Sequence, residues 1–420
     1  MQGAAPETAI FAAGLILPVP APPIRDGALL VENGRIAAVG PLVKIGRANP
    51  GVEVRYFPRY TIIPGAVNTH AHLGFRRGDA PAGGSFSRWI TELISRLPER
   101  ENWVAEAAMS SAREAIEAGT TFLADSSPYG DCLPYLAGSG LAGIVFAEFF
   151  PFQFGSPEEA VDSIEEKVLD LRRGLPPRVG VETSVHAPYT IDPESSRLAA
   201  RRAREKGERL AIHLSESPEE YEFVQNGTGP LVDIFARFAQ GEWEGRGISP
   251  VRYAESLGLL WPGTIAAHLA TGVSDEDIEI MARTGAVVAQ LPRSNEYLGC
   301  GVSPVPEMLA RGVRVGMGTD GLWSSPSMNL FEEALFAANL HGFDGETALM
   351  LATLYGARAL GIEGETGSLE VGKWADFAMV EAAPLESLRS PEMEVLEAAA
   401  SGGVTATVVG GETLYNRLGL

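Results

Sequence analysis

The sequence predicts an α/β protein, a (β/α)8 barrel of the TIM type with a small β-sandwich domain built from both ends of the chain. Three observations predict this fold. Strand-like and helical patterns alternate over residues 61–365, eight strand candidates lie in that segment, and residues 1–60 and 366–420 have strand-like texture instead. Alternating strands and helices form a parallel sheet, and eight such units close into a barrel.

The first 60 residues read as short strands without helices between them. The apolar runs are AIFAAGLIL, GALLVENGRIAAVG and VEVRYFP, and the second run is interrupted by Asn33 and Gly34. An Asn-Gly pair between two apolar runs is a strong signal for a β-hairpin. We therefore expect this segment to join residues 366–420, which contain GSLEVGKWADFAMVEA and VTATVVGGETLYN, in one β domain.

The central segment supplies the eight strands of the predicted barrel. Two of its helices have clear start signals, a capping side chain followed by proline, at Ser156-Pro157 and Asp192-Pro193. A glycine-rich stretch near residues 225–250 interrupts the alternation and is either a lid or an ordinary long loop. In chain order the strand candidates are TIIPGAVNTHAH, TTFLADSS, GIVFAEFF, GVETSVH, RLAIHLSE, TIAAHLA, AVVAQLP and VRVGMGTD.

Composition and charge narrow the classes of partner. Of the 420 residues 45% are hydrophobic and 21% are charged, as in globular proteins. The net charge of -21 argues against nucleic acid or an anionic membrane as partner, because both require a basic face. Cys132 and Cys300 are far apart, so we expect no disulfide. No membrane-spanning run or basic leader is evident, and we expect a cytoplasmic protein that acts on a small molecule, with a homo-oligomer possible.

Polar side chains end most of the predicted barrel strands. His70 and His72 leave the same face of the first strand, because side chains at i and i+2 point the same way. The carboxyl ends of barrel strands meet at one mouth, so residues at those ends come together. The later strand ends carry His186 on the fourth strand, His213 on the fifth, His268 on the sixth and Asp320 on the eighth.

Three imidazoles and one carboxylate at this mouth predict a site for one divalent metal ion. The proposed ligands are His70, His72, His213 and Asp320. This set suits Zn²⁺ first and Fe²⁺ second, and it leaves a position for a water whose pKa the ion lowers. None of the four lysines ends a strand, so a bridging lysine for a second ion is not evident. Glu148 and Glu182 lie on strands and leave an opening for a second ion.

Acid-base and substrate-binding roles follow from position. Glu216 lies three residues after His213, past the strand end, where it could reach the metal's water and shuttle protons; the alternative is a solvated acid at a helix start. His268 could hold the attacking hydroxide or polarise the electrophile, and Asp320 could accept the water's proton while it binds the metal. His186, Arg293 and Asn295 are candidates for substrate contact at the mouth.

The ordered set of motifs PGAVNTHAH, SVHAPYT, IHLSE, AAHLA and GMGTD, flanked by GALLVENGRIAAVGP and GSLEVGKWADFAMV, resembles the amidohydrolase superfamily. Within it the chain is similar to the mononuclear aminohydrolases and chlorohydrolases, which include adenosine, S-adenosylhomocysteine and guanine deaminases. The resemblance implies a barrel with a terminal β-sandwich and the metal ligands named above. It also implies acid-base and electrostatic work by Glu216 and His268, and substrate contact by His186.

A narrower resemblance is to the 6-aminodeoxyfutalosine deaminases, which act in an alternative route of menaquinone biosynthesis. It rests on SFSRWITEL, PVRYAESLGLL and LPRSNEYLGCG. The chain departs from these relatives where HLGF lacks an acidic residue after the leucine and where GTDG replaces GTDS. The benzoate of that substrate would require a cation, for which Arg76, Arg77 or Arg293 could serve, although a solvated surface pair explains the first two. Trp89 and Trp323 are candidates for stacking on a purine or for core packing.

Three functions are compatible with these residues. The leading one is a metal-dependent deaminase of an aminopurine nucleoside, with 6-aminodeoxyfutalosine or a related adenosine derivative as substrate. The second is a hydrolase that uses the same site to expel a halide or open a ring amide of another heterocycle. The third is a barrel that has lost catalysis and only binds, which predicts missing ligands, and none is missing.

Overall fold

The computed structural model describes residues 8–77, 85–239, 241–382 and 390–419. Its strands in chain order are β1 (Ala9–Ile16), β2 (Ile24–Glu32), β3 (Arg35–Pro41), β4 (Glu53–Pro64), β5 (Ala66–His72), β6 (Thr120–Pro128), β7 (Ala142–Glu148), β8 (Val179–Ser184), β9 (Leu210–Leu214), β10 (Thr264–His268), β11 (Val287–Gln290), β12 (Val315–Met317), β13 (Asp320–Gly321), β14 (Phe377–Val380), β15 (Val404–Val409) and β16 (Glu412–Asn416).

Helices connect most of these strands, and two short 3-10 helices cover Leu97–Asn102 and Pro151–Gln153. The α-helices are α1 (Leu42–Ala48), α2 (Phe86–Arg96), α3 (Val104–Glu117), α4 (Leu133–Ser139), α5 (Pro157–Leu171), α6 (Pro193–Lys206), α7 (Pro218–Asn226), α8 (Leu231–Ala239), α9 (Pro250–Ser256), α10 (Asp275–Thr284), α11 (Pro292–Leu298), α12 (Val305–Ala310), α13 (Leu330–His341), α14 (Gly345–Ala352), α15 (Leu354–Ala359) and α16 (Pro391–Ala400).

The strands from β5 to β13 form one parallel sheet in the order β12-β11-β10-β9-β8-β7-β6-β5-β13. Only Gly318 and Thr319 separate β12 from β13, so these two strands are consecutive pieces of the eighth barrel strand. Asp320 of β13 pairs with Ala71 of β5, which brings the last strand back to the first. The sheet therefore curls on itself, and the predicted (β/α)8 architecture is confirmed.

Asn68 fastens this junction between the first and last barrel strands. Its side chain is buried, and Nδ2 donates a hydrogen bond to Oγ1 of Thr319 at 2.8 Å. The side-chain oxygen accepts from the backbone N–H groups of His70 and Thr319, at 3.2 Å and 3.3 Å. Because a buried amide must satisfy its donors and acceptors, these bonds hold the two strand ends that carry the candidate ligands in one register.

Both ends of the chain meet in a second, seven-stranded sheet with the order β16-β15-β14-β4-β1-β2-β3. The predicted hairpin is present between β2 and β3, with Asn33 and Gly34 at φ values of 54° and 76°, as a type I′ turn requires. The expectation of strands without helices was wrong at one place, because α1 connects β3 to β4. Only one residue of α1, Ile45, is fully buried, and a helix this short gives too little periodicity to be distinguished from a strand.

The predicted helix starts are also confirmed. The side chain of Ser156 accepts from the backbone N–H of Glu159, and that of Asp192 accepts from Glu194 and Ser195. The glycine-rich stretch contains α8, and the ring of Trp243 stacks on Phe223 with centroids 4.3 Å apart. A lid function for this stretch remains a prediction.

The cysteines and the lengths of the helices were the subject of two further expectations. Cys132 and Cys300 are both buried and unpaired, which confirms the absence of a disulfide between them. Among the described residues, no helix has both the length and the apolar character needed to cross a membrane.

Candidate active site

The carboxyl ends of the barrel strands surround a cavity whose two sides differ in chemistry. Phe75, Trp89, Leu93, Phe150 and Trp323 form an apolar side. The polar side contains Glu148 together with residues that the sequence predicts for the active site. Its members are His72, Glu148, His186, His213, Glu216, His268 and Asp320. This clustering is expected for residues at the ends of parallel barrel strands.

Three histidine nitrogens converge at the base of this cavity. Nε2 of His72 lies 3.2 Å from Nε2 of His70 and 3.1 Å from Nε2 of His213. Nδ1 of His72 lies 2.6 Å from the backbone carbonyl oxygen of Ser126, and Nδ1 of His213 lies 3.1 Å from that of His186. A carbonyl only accepts, so each Nδ1 carries the proton and each Nε2 presents a lone pair.

Two lone pairs that face each other at 3.1 Å repel unless a cation lies between them. Two nitrogens bound to one zinc ion at about 2.0–2.1 Å and near-tetrahedral angles lie roughly 3.3 Å apart, close to the observed separations. Burial lowers the pKa of His70 and of His213 well below the ordinary value, so both rings are neutral, as metal ligands must be. The three histidines therefore fit one divalent ion.

Asp320 supplies the carboxylate of this set. Its Oδ1 lies 3.4 Å from Nε2 of His72 and 3.9 Å from Nε2 of His70. Its other oxygen, Oδ2, accepts hydrogen bonds from the hydroxyls of Ser294 at 2.6 Å and Ser324 at 2.7 Å. Burial opposes ionisation, but the neighbouring histidines dominate and lower the pKa of Asp320 to about 2. Asp320 is therefore an ionised oxygen donor aimed at the three nitrogens.

Glu216 and His268 lie side by side next to the ligand set. Oε1 of Glu216 is 3.5 Å from Nε2 of His268, and both side chains are buried. Burial and the nearby charge of Asp320 raise the pKa of Glu216 well above its ordinary value, so this carboxyl holds a proton that it can donate. Burial lowers the pKa of His268, which keeps that imidazole neutral.

Backbone geometry at the strand ends aims these side chains inward. Ser215, His268 and Asp320 have positive φ values of 50°, 74° and 60°, a region that non-glycine residues rarely occupy. The turn that carries Glu216 is held by Glu220, whose two carboxyl oxygens accept from the backbone N–H groups of Ser215 and Glu216, both at 2.8 Å. Strained residues of this kind concentrate at functional sites, where surrounding contacts hold them.

Comparison with known proteins identifies the family. The model of the amidohydrolase family matches residues 61–414. The chain belongs to the amidohydrolase family. This segment includes every strand of the barrel and, of the terminal sheet, β14, β15 and parts of β4 and β16.

Relatives of this amidohydrolase are named as deaminases. A 5-methylthioadenosine/S-adenosylhomocysteine deaminase of Nitratidesulfovibrio vulgaris is 32% identical, over 93% of this chain and 88% of that protein. The solved adenosine deaminase of Xanthomonas campestris, which has bound zinc, matches with a TM-score of 0.83 at 25% identity, over 99% of this chain and 94% of its own. Helicobacter pylori aminofutalosine deaminase gives a TM-score of 0.85 over 96% and 99% of the two chains, and at 22% identity this likeness shows the fold alone.

Family and relatives together show that this amidohydrolase is a hydrolase acting on carbon–nitrogen bonds. The alternative of a barrel that only binds is thereby set aside. The side chains that line the cavity determine whether the reaction is a deamination or another hydrolysis, and which substrate binds.

Asn295 is not among the described residues that line the cavity of this amidohydrolase, and its predicted substrate contact stays a prediction. Its side-chain oxygen lies 2.9 Å from Nδ1 of His268 and can only accept, so His268 donates from Nδ1 and presents Nε2 toward Glu216. The turn after β11 starts α11, which places Asn295 one turn behind the cavity wall. Asn295 is therefore a positioning residue for His268.

Removing the Asn295 side chain is expected to lower kcat about 10- to 100-fold, the range known for partners that orient active-site imidazoles. KM should change little, because Asn295 is not among the described residues that line the cavity. Steady-state kinetics of Asn295→Ala test this, and Asn295→Asp, which keeps the acceptor, should recover much of the rate. A rise in KM at constant kcat would instead support the original substrate-contact role.

Arg293 is likewise absent from the described residues that line the cavity, and its predicted substrate role stays a prediction. Its guanidinium donates to the carboxylate of Glu332 and to the hydroxyl of Ser327, the latter at 3.2 Å. Its backbone N–H donates to Glu333 at 3.1 Å. The acids lie about forty positions further along the chain on α13, so sequence alone could not reveal that they bind this arginine.

Glu333 offers a test of this buried cluster through pH. Burial raises the pKa of Glu333 from 4.5 to about 8. Between these pH values the native state keeps a proton that the unfolded chain has released, so this group's contribution to the free energy of unfolding falls as pH rises from about 4.5 to about 8. Glu333→Gln should give a flatter dependence than wild type in denaturant titrations across this range. Equal slopes for the two proteins would contradict the assignment.

Of the remaining residues that the sequence suggested for the site, some line the cavity and others form ion pairs outside it. Trp89 and Trp323 both line the cavity and are linked, because Nε1 of Trp89 donates to the carbonyl of Trp323 at 3.0 Å. Arg77 pairs with Glu114 outside the cavity, and Arg76 lies 3.9 Å from Glu106 at the surface. Glu182 is held by Arg209 at 3.0 Å.

Sequence reasoning missed several contributors to the site. Ser294 and Ser324, which hold Asp320, lie just after the seventh and eighth strands, and their closeness to strand ends was the only available signal. Tyr189 lines the cavity, with its hydroxyl 3.5 Å from Glu216. Tyr189 lies in the SVHAPYT motif, three positions after His186, and this closeness to His186 was the signal that could have identified it as a lining residue.

Proposed function

We propose that this amidohydrolase is a metal-dependent deaminase that replaces the 6-amino group of an adenine-type nucleoside by oxygen and releases ammonia. The observation that carries the proposal is the pair of Glu216 and His268 beside the ligand set, 3.5 Å apart. A buried carboxyl that keeps its proton is suited to protonating a ring nitrogen, which makes the adjacent carbon electrophilic. The N. vulgaris relative named as a deaminase, with 32% identity, supports the same chemistry.

The ligand set fits zinc, and we propose Zn²⁺ as the ion, with Fe²⁺ as the alternative. When bound, such an ion supplies Lewis-acid chemistry and lowers the pKa of water in the site toward neutrality. His70, His72, His213 and Asp320 would hold it. The zinc in the X. campestris structure is consistent with this choice.

The protein's own groups account for the proton transfers. Glu216 donates its proton to the ring nitrogen next to the reacting carbon, then carries a proton from the attacking water to the leaving amine. Asp320, ionised and held by two serine hydroxyls, accepts the other proton of that water and returns it to Glu216, which restores both carboxyl groups for the next turnover. His268, held by Asn295 with the lone pair of Nε2 toward the cavity, accepts a hydrogen bond from the attacking water and so orients it. The balance is nucleoside plus water to the 6-oxo product plus ammonia.

The apolar side of the cavity favours a substrate with an uncharged 5′ group. Among the described lining residues there is no lysine or arginine. Arg96 and Arg100 lie over the rings of Trp323 and Phe75, 5.4 Å and 5.1 Å from the ring centroids, and each is paired with a carboxylate. We therefore propose 5′-deoxyadenosine or 5′-methylthioadenosine as leading substrates. The sequence similarity to 6-aminodeoxyfutalosine deaminases makes that substrate the second candidate, although its benzoate finds no cation on this wall.

A substrate panel tests the proposal. Zinc-loaded enzyme is assayed with 5′-deoxyadenosine, 5′-methylthioadenosine, S-adenosylhomocysteine and 6-aminodeoxyfutalosine, with ammonia release and loss of adenine absorbance as readouts. We expect the highest kcat/KM for the two substrates with apolar 5′ groups. Preference for 6-aminodeoxyfutalosine would overturn the argument from the cavity wall. No turnover of any aminated purine would favour hydrolysis of another heterocycle, such as loss of a ring halide.

A further inference from the structure

Glu148 and His186 face the cavity, and the proposed reaction assigns no proton transfer to either. Glu148 ends β7, and His186 follows the neighbouring strand β8, which lies next to the strand β9 that carries His213. One carboxylate oxygen of Glu148, a ring nitrogen of His186 and a ring nitrogen of His213 all lie within 4.8 Å of one another. This arrangement of two imidazoles and a carboxylate resembles a set of metal ligands more than a structural cluster.

The hydrogen bonds around His186 determine which of its nitrogens faces the cavity. Its Nδ1 lies 2.7 Å from Oγ1 of Thr190, and the single hydroxyl proton of Thr190 is donated to the carbonyl of Ala187 at 3.1 Å. Thr190 must therefore accept from Nδ1–H of His186. The other nitrogen, Nε2, is left with an unshared lone pair.

Glu148 presents a second acceptor without a donor. Its side chain is 3% exposed, and Oε1 has no hydrogen-bond partner among the described residues. A buried carboxyl oxygen without a partner is costly, and native structures normally satisfy such an atom with a proton donor or a cation. No described lysine or arginine lines the cavity to satisfy it.

We propose that Glu148 and His186 form a second, weaker site for a divalent transition-metal ion such as Zn²⁺, beside the catalytic ion, and that its occupancy inhibits the enzyme. Because His213 donates from Nδ1, it has only Nε2 for a metal, and that nitrogen belongs to the first set. The second ion therefore has two protein ligands rather than three or four, which makes it weaker. Two adjacent metals in hydrolases lie about 3.5–4 Å apart, compatible with donors this close to His213.

Inhibition follows from position. Both donors line the same cavity as Trp89 and Trp323, so an ion held between them fills space that a substrate ring requires. Inhibition by the second ion is thus competitive, with a higher apparent KM and an unchanged kcat. The proposal goes beyond deamination, because metal binding can be counted without any substrate.

The test is a count of zinc per chain. Metal-free enzyme is dialysed against buffered solutions of rising free zinc, and bound zinc is measured by mass spectrometry. We expect one tight equivalent and a second equivalent at higher free zinc. Glu148→Gln and His186→Ala should each keep the first and weaken the second by about 100-fold or more, beyond the cost of losing an outer-shell partner. His186→Ala leaves intact the backbone carbonyl that orients His213.

Glu182→Gln is the matched control, since Glu182 is an acid on the neighbouring strand that pairs with Arg209. It should bind both equivalents. Retention of the first equivalent shows that each variant is folded. A single equivalent in the wild-type enzyme at all zinc concentrations, or a second equivalent that Glu148→Gln retains, would overturn the proposal. Turnover that is insensitive to the second equivalent would overturn the inhibitory part.

Discussion

Changing Glu216 to Gln is expected to lower kcat by about 10²- to 10⁴-fold, the usual contribution of a positioned acid-base group. The buried carboxyl is the group placed to protonate a ring nitrogen and to pass protons to the leaving amine, and Gln cannot exchange that proton. The amide has nearly the same shape, so zinc content should remain at the wild-type value. Turnover and metal content are measured on the same preparation.

Glu222→Gln is the matched control, because Glu222 is an exposed acid one helical turn beyond the site that bonds only to Thr228 in the hydrogen bonds described. It should leave both turnover and metal content unchanged. If Glu216→Gln kept near wild-type activity, Glu216 would not be the proton shuttle. Loss of zinc in that variant would place Glu216 among the ligands instead.

Replacing His213 by Ala is expected to weaken zinc binding by at least about 100-fold, above the cost of removing an outer-shell partner. His213 supplies one of the three Nε2 atoms of the ligand set. Nε2 of His72 lies 3.1 Å from that of His213 and 3.2 Å from that of His70. Without it the remaining ligands cannot complete a tetrahedral set, and turnover should be lost with the metal. Zinc affinity is measured by competition with a chelating dye.

His341→Ala is the control for this substitution. His341 ends α13 and lies outside the ligand set, so its removal should change neither zinc affinity nor turnover. A His213→Ala enzyme that still bound one tight zinc per chain would contradict the assigned ligands.

Much of the site could be predicted because barrel geometry converts sequence order into spatial proximity. His70 and His72 share one strand face, and His213 and Asp320 end other strands, so the parallel topology alone brings them to one mouth. This prediction required no knowledge of how the loops fold. The same reasoning located Glu216 and His268.

The rest could not be predicted because it depends on which distant side chains become partners. Arg293 and Asn295 follow a strand end as the clustered residues do, yet on α11 one binds Glu332 and the other contacts His268. The sequence indicates Glu148 only as a possible ligand of a second ion. That its carboxyl oxygen has no hydrogen-bond partner among the described residues depends on how the surrounding side chains pack. The helix α1 has too little apolar periodicity to be recognised.

The measurement that tests the central claim most directly is a crystal structure of the enzyme loaded with one equivalent of zinc, with anomalous diffraction recorded on both sides of the zinc absorption edge. We predict a single anomalous peak within bonding distance of Nε2 of His70, His72 and His213 and of a carboxylate oxygen of Asp320, with zinc–nitrogen distances of about 2.0–2.1 Å. A peak bound by other residues, or no peak in fully active enzyme, would contradict it.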